Sequence, residues 1–125
     1  MTTKITISIP AQAEYVHVVR SVAAAAVAHQ EFSFDDVEDM RLAVDEACAY
    51  LLALRPTPTQ LRTSISGSNG RIEIEMSADA PAQLPPKGDA QQSMMWNILA
   101  ALTDDARVGE SNTGPSIVLT KQRRS

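Results

Sequence analysis

Apolar and polar residues change their period several times along this chain, and each change marks an element. Ile5, Ile7 and Ile9 alternate with Thr6 and Ser8, which predicts a half-buried strand over Lys4–Ile9 that Pro10 ends. From Gln12 to about His29 the period becomes helical. Tyr15, Val18, Val19, Val22 and Ala26 recur at i, i+3, i+4, i+7 and i+11 as the expected buried stripe, with His17, Arg20, Ala24 and Ala28 opposite. Phe32–Asp35 reads as a loop in which Ser33 or Asp35 can cap the next helix. That helix is expected over Asp36–Leu54, burying Val37, Met40, Val44, Cys48 and Leu51, with Ala47 and Leu54 widening the stripe. Pro56 and Pro58 stop it.

The second half returns to strands. Leu61–Ser66 and Arg71–Ser77 form a predicted hairpin around Gly67–Ser68–Asn69–Gly70, the second strand alternating Ile72, Ile74 and Met76. Residues 78–92 hold three prolines and no period, so they read as a loop. Ser93–Thr103 is expected as a third helix with Ser93 as N-cap, Met94, Ile98 and Leu102 inward, and Met95 and Leu99 beside them. A short strand over Arg107–Glu110, a turn at Asn112–Gly114 and a closing strand over Ser116–Lys121 complete the order β-α-α-β-β-α-β-β. That order predicts an α+β two-layer sandwich, with helices on one face of a mostly antiparallel sheet.

Composition narrows the function classes without choosing one. A length of 125 residues fits one domain over 1–125, and 44% hydrophobic with 21% charged residues indicates a globular chain. No apolar run approaches the ~20 residues of a bilayer span, and Met1–Ile9 is too short and polar for a signal peptide, so the expected address is cytoplasmic and no membrane contact is expected. Eleven basic against fifteen acidic residues give a net charge of −4, and aromatics are only 4%, a poor match to nucleic acid. The basic residues of 122–125, with Lys121, read as a solvated tail. His17 and His29 are twelve residues apart and suggest no metal pair, and Cys48 reads as a small core residue. Among the acidic groups, Asp35 and Asp36 suit a helix N-terminus.

Two stretches are more specific. Pro10–Val16 with Val19–Arg20, and then Phe34-Asp-Asp-Val-Glu-Asp-Met-Arg-Leu-Ala-Val-Asp-Glu-Ala-Cys48, closely resemble the bacterial anti-sigma regulatory factors of the RsbW/SpoIIAB type. These are small relatives of the histidine-kinase ATPase (GHKL, or Bergerat) domain. The resemblance extends in element order over the whole chain and is strongest over residues 8–50. It implies the Bergerat fold, sequestration of an alternative sigma factor, and release by a competing anti-anti-sigma protein with a STAS fold. It also implies homodimers and, in many members, Mg-ATP-dependent phosphorylation of a serine on the STAS partner.

Carried over residue by residue, the nucleotide motifs do not survive intact. The family's first motif is a helix-borne Glu, the general base, followed four residues later by an Asn that holds Mg²⁺. Glu46 fills the base position, but Tyr50 stands where the Asn belongs, and a phenol is a poor ligand for a hard cation. The adenine-binding Asp of the second motif aligns with Ala78, leaving Asp79 one residue out of register and Ala80 at a glycine position. The Gly-x-Gly phosphate cradle of the third motif becomes Ser93 and Met95, followed by Trp96, which is either core or a plug in the vacated pocket. The lid-like segment 78–92 is short and proline-rich. On these departures Glu46 is a vestigial base, no cofactor is expected, and Mg-ATP enters only if the altered site still binds it. Arg20 matches the arginine that the family uses to contact both the sigma factor and the STAS protein, and its spacing of 26 residues to Glu46 is the family's. Glu14, His17 and Ala24 lie beside it as further partner-contact positions, whereas Asp45 receives no role because it does not share a face with Glu46. The leading expectation is a non-catalytic anti-sigma factor. A serine kinase acting on the STAS partner, and a regulator that binds only a STAS or other signalling partner, stand as alternatives.

Overall fold

The computed structural model describes residues 3–79, 90–109 and 114–124. Five strands, β1 (Thr3–Pro10), β2 (Gln60–Ser68), β3 (Arg71–Ala78), β4 (Asp105–Gly109) and β5 (Ser116–Gln122), pair in the order β1-β2-β3-β5-β4. Every pairing is antiparallel. Three helices, α1 (Val16–His29), α2 (Phe34–Leu52) and α3 (Ala90–Leu102), pack on one face, which is the expected α+β sandwich. The strand alternation explains the layering. Ile9, Leu61, Ile65, Ile72, Ile74, Met76, Ile117 and Leu119 face the helices and are almost fully buried, while Thr6, Ser8, Arg62, Ser64, Glu73 and Glu75 occupy the alternate, outward positions.

Helix ends and faces differ from the sequence reading in instructive ways. α1 begins at Val16 after a single 3₁₀ turn over Ala13–Tyr15, not at Gln12. Its buried residues are Val19, Ala23, Ala26 and Val27, whereas Tyr15 is 39% exposed. The stripe is rotated because α1 packs on both the sheet and α2, and small Ala23 sits at that junction. The Ser33 hydroxyl accepts from the Asp36 amide at 3.1 Å and caps α2, so Phe34 and Asp35 lie inside the helix rather than in a loop. α2 stops at Leu52, and Leu54 is buried from the following turn.

α3 starts at Ala90, which places Ser93 within the helix instead of at its cap and shortens the expected 78–92 loop at both ends, since Ala78 closes β3. Its core residues are Met95 and Leu99, with Trp96 and Leu102 against them, while Met94 is 60% exposed. The β2–β3 connection is only Asn69–Gly70, both at positive φ, because the strands extend to Ser68 and from Arg71. That is the two-residue turn whose twist suits a hairpin, and Asn-Gly is its favoured sequence. β4 runs over Asp105–Gly109; Glu110 and most of the expected Asn112–Gly114 turn lie outside the described residues.

The basic C-terminal residues are not a solvated tail. Lys121 is 7% exposed, its Nζ donating to the Leu102 carbonyl at 2.9 Å and lying 3.5 Å from Asp36 and 3.7 Å from Asp39. One cation thus ties β5 to the last turn of α3 and the first turn of α2, and a buried ammonium requires such partners. Arg123 donates to the Gln30 carbonyl at 3.0 Å, and Arg124 pairs with Asp104 at 2.8 Å. Cys48 is buried beside Met76, its Sγ 3.9 Å from Met76 Sδ. Desolvation, helped by the Asp45 charge, pushes its thiol up to about 12, which keeps it a neutral core residue.

Candidate functional site

The expected partner-contact residues gather on the outer side of α1. The α1–α2 connection spans only a few residues, so the helices run antiparallel and α1's second turn meets α2's fourth. There Arg20 Nη1 donates to Asp45 Oδ2 at 2.9 Å, with the side chains 36% and 33% exposed. Arg20 is therefore neither buried nor free in solvent but held across the helix pair. One turn earlier, His17 Nδ1 donates to the Glu14 carbonyl at 2.8 Å, and Ala24 lies half-buried one turn later. The residue that sequence reasoning passed over is Asp45. Its signal was available in the register of a short helical hairpin, which brings position 45 opposite position 20.

Glu46 projects about 100° round the helix from Asp45. It is half-buried, and among the described residues no cation lies within 4 Å of it. Ala13 from the 3₁₀ turn and Val16 from the start of α1 join Asp45, Glu46, Ala49 and Ala53 around an open depression of about 630 Å³. Glu46 thus stands at the rim of a shallow, mainly apolar recess between two helices.

Tyr50, Asp79 and Met95, at the other nucleotide-motif positions, are each engaged by the fold itself. Tyr50 is half-buried and packs against the hydrophobic core. Asp79 is engaged elsewhere: Oδ1 accepts from the Thr59 amide at 2.8 Å and the Gln60 amide at 2.7 Å, and Oδ2 accepts from the Thr59 hydroxyl. These contacts, the Thr59 hydroxyl first, hold its carboxyl below the usual carboxylate range. Asp79 thereby latches the start of β2 to the end of β3. Met95 is 2% exposed and stands sixth in α3. Only the first few amides of a helix lack intrahelical acceptors, so the Met95 N–H is committed one turn back.

A family model described as the histidine kinase-like ATPase domain matches residues 9–121, nearly the whole described fold. The chain belongs to this family. It is 27% identical over 111 residues to the anti-sigma-F factor RsbW of Mycobacterium tuberculosis (strain H37Rv), covering 89% of this chain and 64% of that protein. It is also 43% identical over 49 residues to the serine-protein kinase RsbW of Bacillus thuringiensis (strain Al Hakam), covering 39% of this chain and 31% of the relative. The same figures hold for a serine-protein kinase RsbW of Bacillus cereus (strain B4264). The chain thus spans a little under two thirds of the mycobacterial relative's length and about a third of the kinases'. The resemblance drawn from residues 8–50 and the Bergerat fold are both upheld. No helix among the described residues is long and apolar enough to cross a membrane.

ATP, the ligand that the family description implies, fits these residues poorly. A triphosphate needs free backbone N–H groups and open space at the third motif, where Met95 supplies a committed amide and a core side chain. Asp79, one residue out of the adenine register, already accepts from the Thr59 amide and hydroxyl and from the Gln60 amide. At the Mg²⁺ position Tyr50 brings a phenol in place of an amide oxygen.

Proposed function

We propose that this chain is an anti-sigma factor that works by binding alone. It sequesters an alternative sigma factor in the cytoplasm through the α1–α2 face around Arg20, with Glu14, His17 and Ala24 at the contact. A STAS-domain anti-anti-sigma protein competes for that face and releases the sigma factor, and Mg-ATP takes no part. The observation that carries the non-catalytic reading is the interior placement of Met95, whose side chain is buried where the family's cradle has a glycine. Likeness to a protein named anti-sigma-F factor supports the sigma-factor partner. The acidic net charge of −4 suits a protein that controls transcription through a basic protein surface instead of DNA. Homodimerisation is expected by analogy with the family.

Isothermal titration with Mg-ADP tests the ligand half of this reading. No binding tighter than about 100 μM, equivalent to roughly −5.5 kcal/mol, is expected. Tighter binding would favour the kinase reading, with Glu46 as its base. Titration of purified alternative sigma factors tests the partner half; a protein that binds a STAS domain and none of the sigma factors would be a regulator of a different kind.

A further inference from the structure

The Arg20–Asp45 contact crosses the helix pair instead of following either helix, and its exposure makes it a weak fold element. At about one-third exposure, solvent screens most of an ion pair's worth to stability. Its clearer consequence is to fix a long, flexible side chain. Arginine has many rotamers to lose on association, and a guanidinium already oriented loses fewer of them when a partner arrives. Among the described residues, Nη1 alone of its nitrogens has a protein acceptor, leaving Nη2 and Nε for a partner.

We propose that Asp45 is a positioning residue for Arg20: it holds the guanidinium against α2 so that the remaining donors meet the partner in place. This rests on the reading of the Arg20 face as the sigma-factor contact. Helix geometry explains why Asp45 and not the neighbouring Glu46 does this, since consecutive positions point about 100° apart. Val16 and Ala49 each lie one turn from the pair, on α1 and α2, and both line the recess beside it. An oriented arginine at the edge of an apolar recess has the chemistry of an interface hot spot. The partner group it takes is a hydrogen-bond acceptor flanked by an apolar side chain.

The probes are the source organism's alternative sigma factors, each purified and titrated singly against the full chain. Arg20→Ala is expected to weaken the complex about 30-fold or more, and Asp45→Ala about 3- to 10-fold. Added to Arg20→Ala, Asp45→Ala is expected to change nothing further. The swap Arg20→Asp with Asp45→Arg re-forms the pair with the guanidinium on the wrong helix, so it is expected to recover melting temperature but not affinity. Recovery of affinity by the swap, or wild-type affinity in Asp45→Ala, would overturn the assignment. Binding of no sigma factor by the wild type would overturn the function reading itself. A partner-free measurement separates the two failures. Nitrogen-15 relaxation of the Arg20 guanidinium is expected to show restricted motion that Asp45→Ala releases, and equal mobility in both proteins sinks the positioning role on its own.

Discussion

α2 borders two regions of this molecule, and the two differ in what they bury. On its outer side, at Asp45 and Glu46, it keeps polar side chains at partial exposure beside α1 and an open recess. One turn on from Glu46, at Tyr50, and across at Met95 of α3, positions that the family devotes to nucleotide carry large side chains, Tyr50 packed against the core and Met95 within it. The difference teaches that one helix can carry a packed position and a partly exposed polar one within a turn of each other, each answering to its own neighbours. Filling the corner adds buried apolar area, which favours folding, whereas the outer face gains nothing by change. The two regions therefore answer differently to substitution, and that difference is measurable.

The largest expected effect lies in the filled corner. Met95→Ala removes a fully packed side chain and is expected to cost about 2–4 kcal/mol by urea denaturation. A loss below about 1 kcal/mol would mean that the side chain borders open space, as a phosphate site requires, and the contrast between the regions would collapse. On the outer face the expectation is reversed. Arg20→Ala is expected to change stability by less than about 1 kcal/mol, since its ion pair is partly exposed, while the sigma-factor complex is weakened about 30-fold or more. A destabilisation as large as that of Met95→Ala would make Arg20 a fold residue.

Tyr50→Asn sharpens the comparison from the ligand side. It restores the family's metal-binding residue type, yet no Mg-ATP heat is expected in calorimetry, because the Met95 amide remains committed inside α3. Turnover regained by this one substitution would show that the third motif had been misjudged.

How much of this was legible in the sequence follows the same division. The succession of elements, the cap of α2 (one of two candidates, Ser33) and the α2 core stripe are readable because alternation and helical period are local signals. The start of α3 was missed, and with it the position of Ser93 inside the helix, because prolines and a glycine upstream mask the period. The faces of α1 and α3 were rotated from expectation because each helix packs on two neighbours, and one-dimensional periodicity sees a single stripe. Lys121 was read as tail because its partners, Leu102, Asp36 and Asp39, are far away in sequence. Motif reading singles out Arg20 and Glu46 as candidates, yet not Asp45, which pairs with Arg20, because motif alignment does not record which helix faces which.

The smallest expected effect concerns Asp79, between the start of β2 and the end of β3. Asp79→Ala removes the acceptor for the Thr59 and Gln60 amides and is expected to cost about 1 kcal/mol. The pH dependence identifies the cause. The folded-state carboxyl is held below its usual range, so its contribution is present in full above the unfolded value of about 3.9 and fades as pH falls through the lower folded value. The stability difference between wild type and Asp79→Asn is therefore expected to be constant from about pH 5 to pH 7 and to shrink below about pH 4. The two proteins compared by urea denaturation across that range give the answer. A difference that stays flat to pH 2 would mean that the Asp79 charge is not what latches β2 to β3, and would free this carboxylate for a ligand.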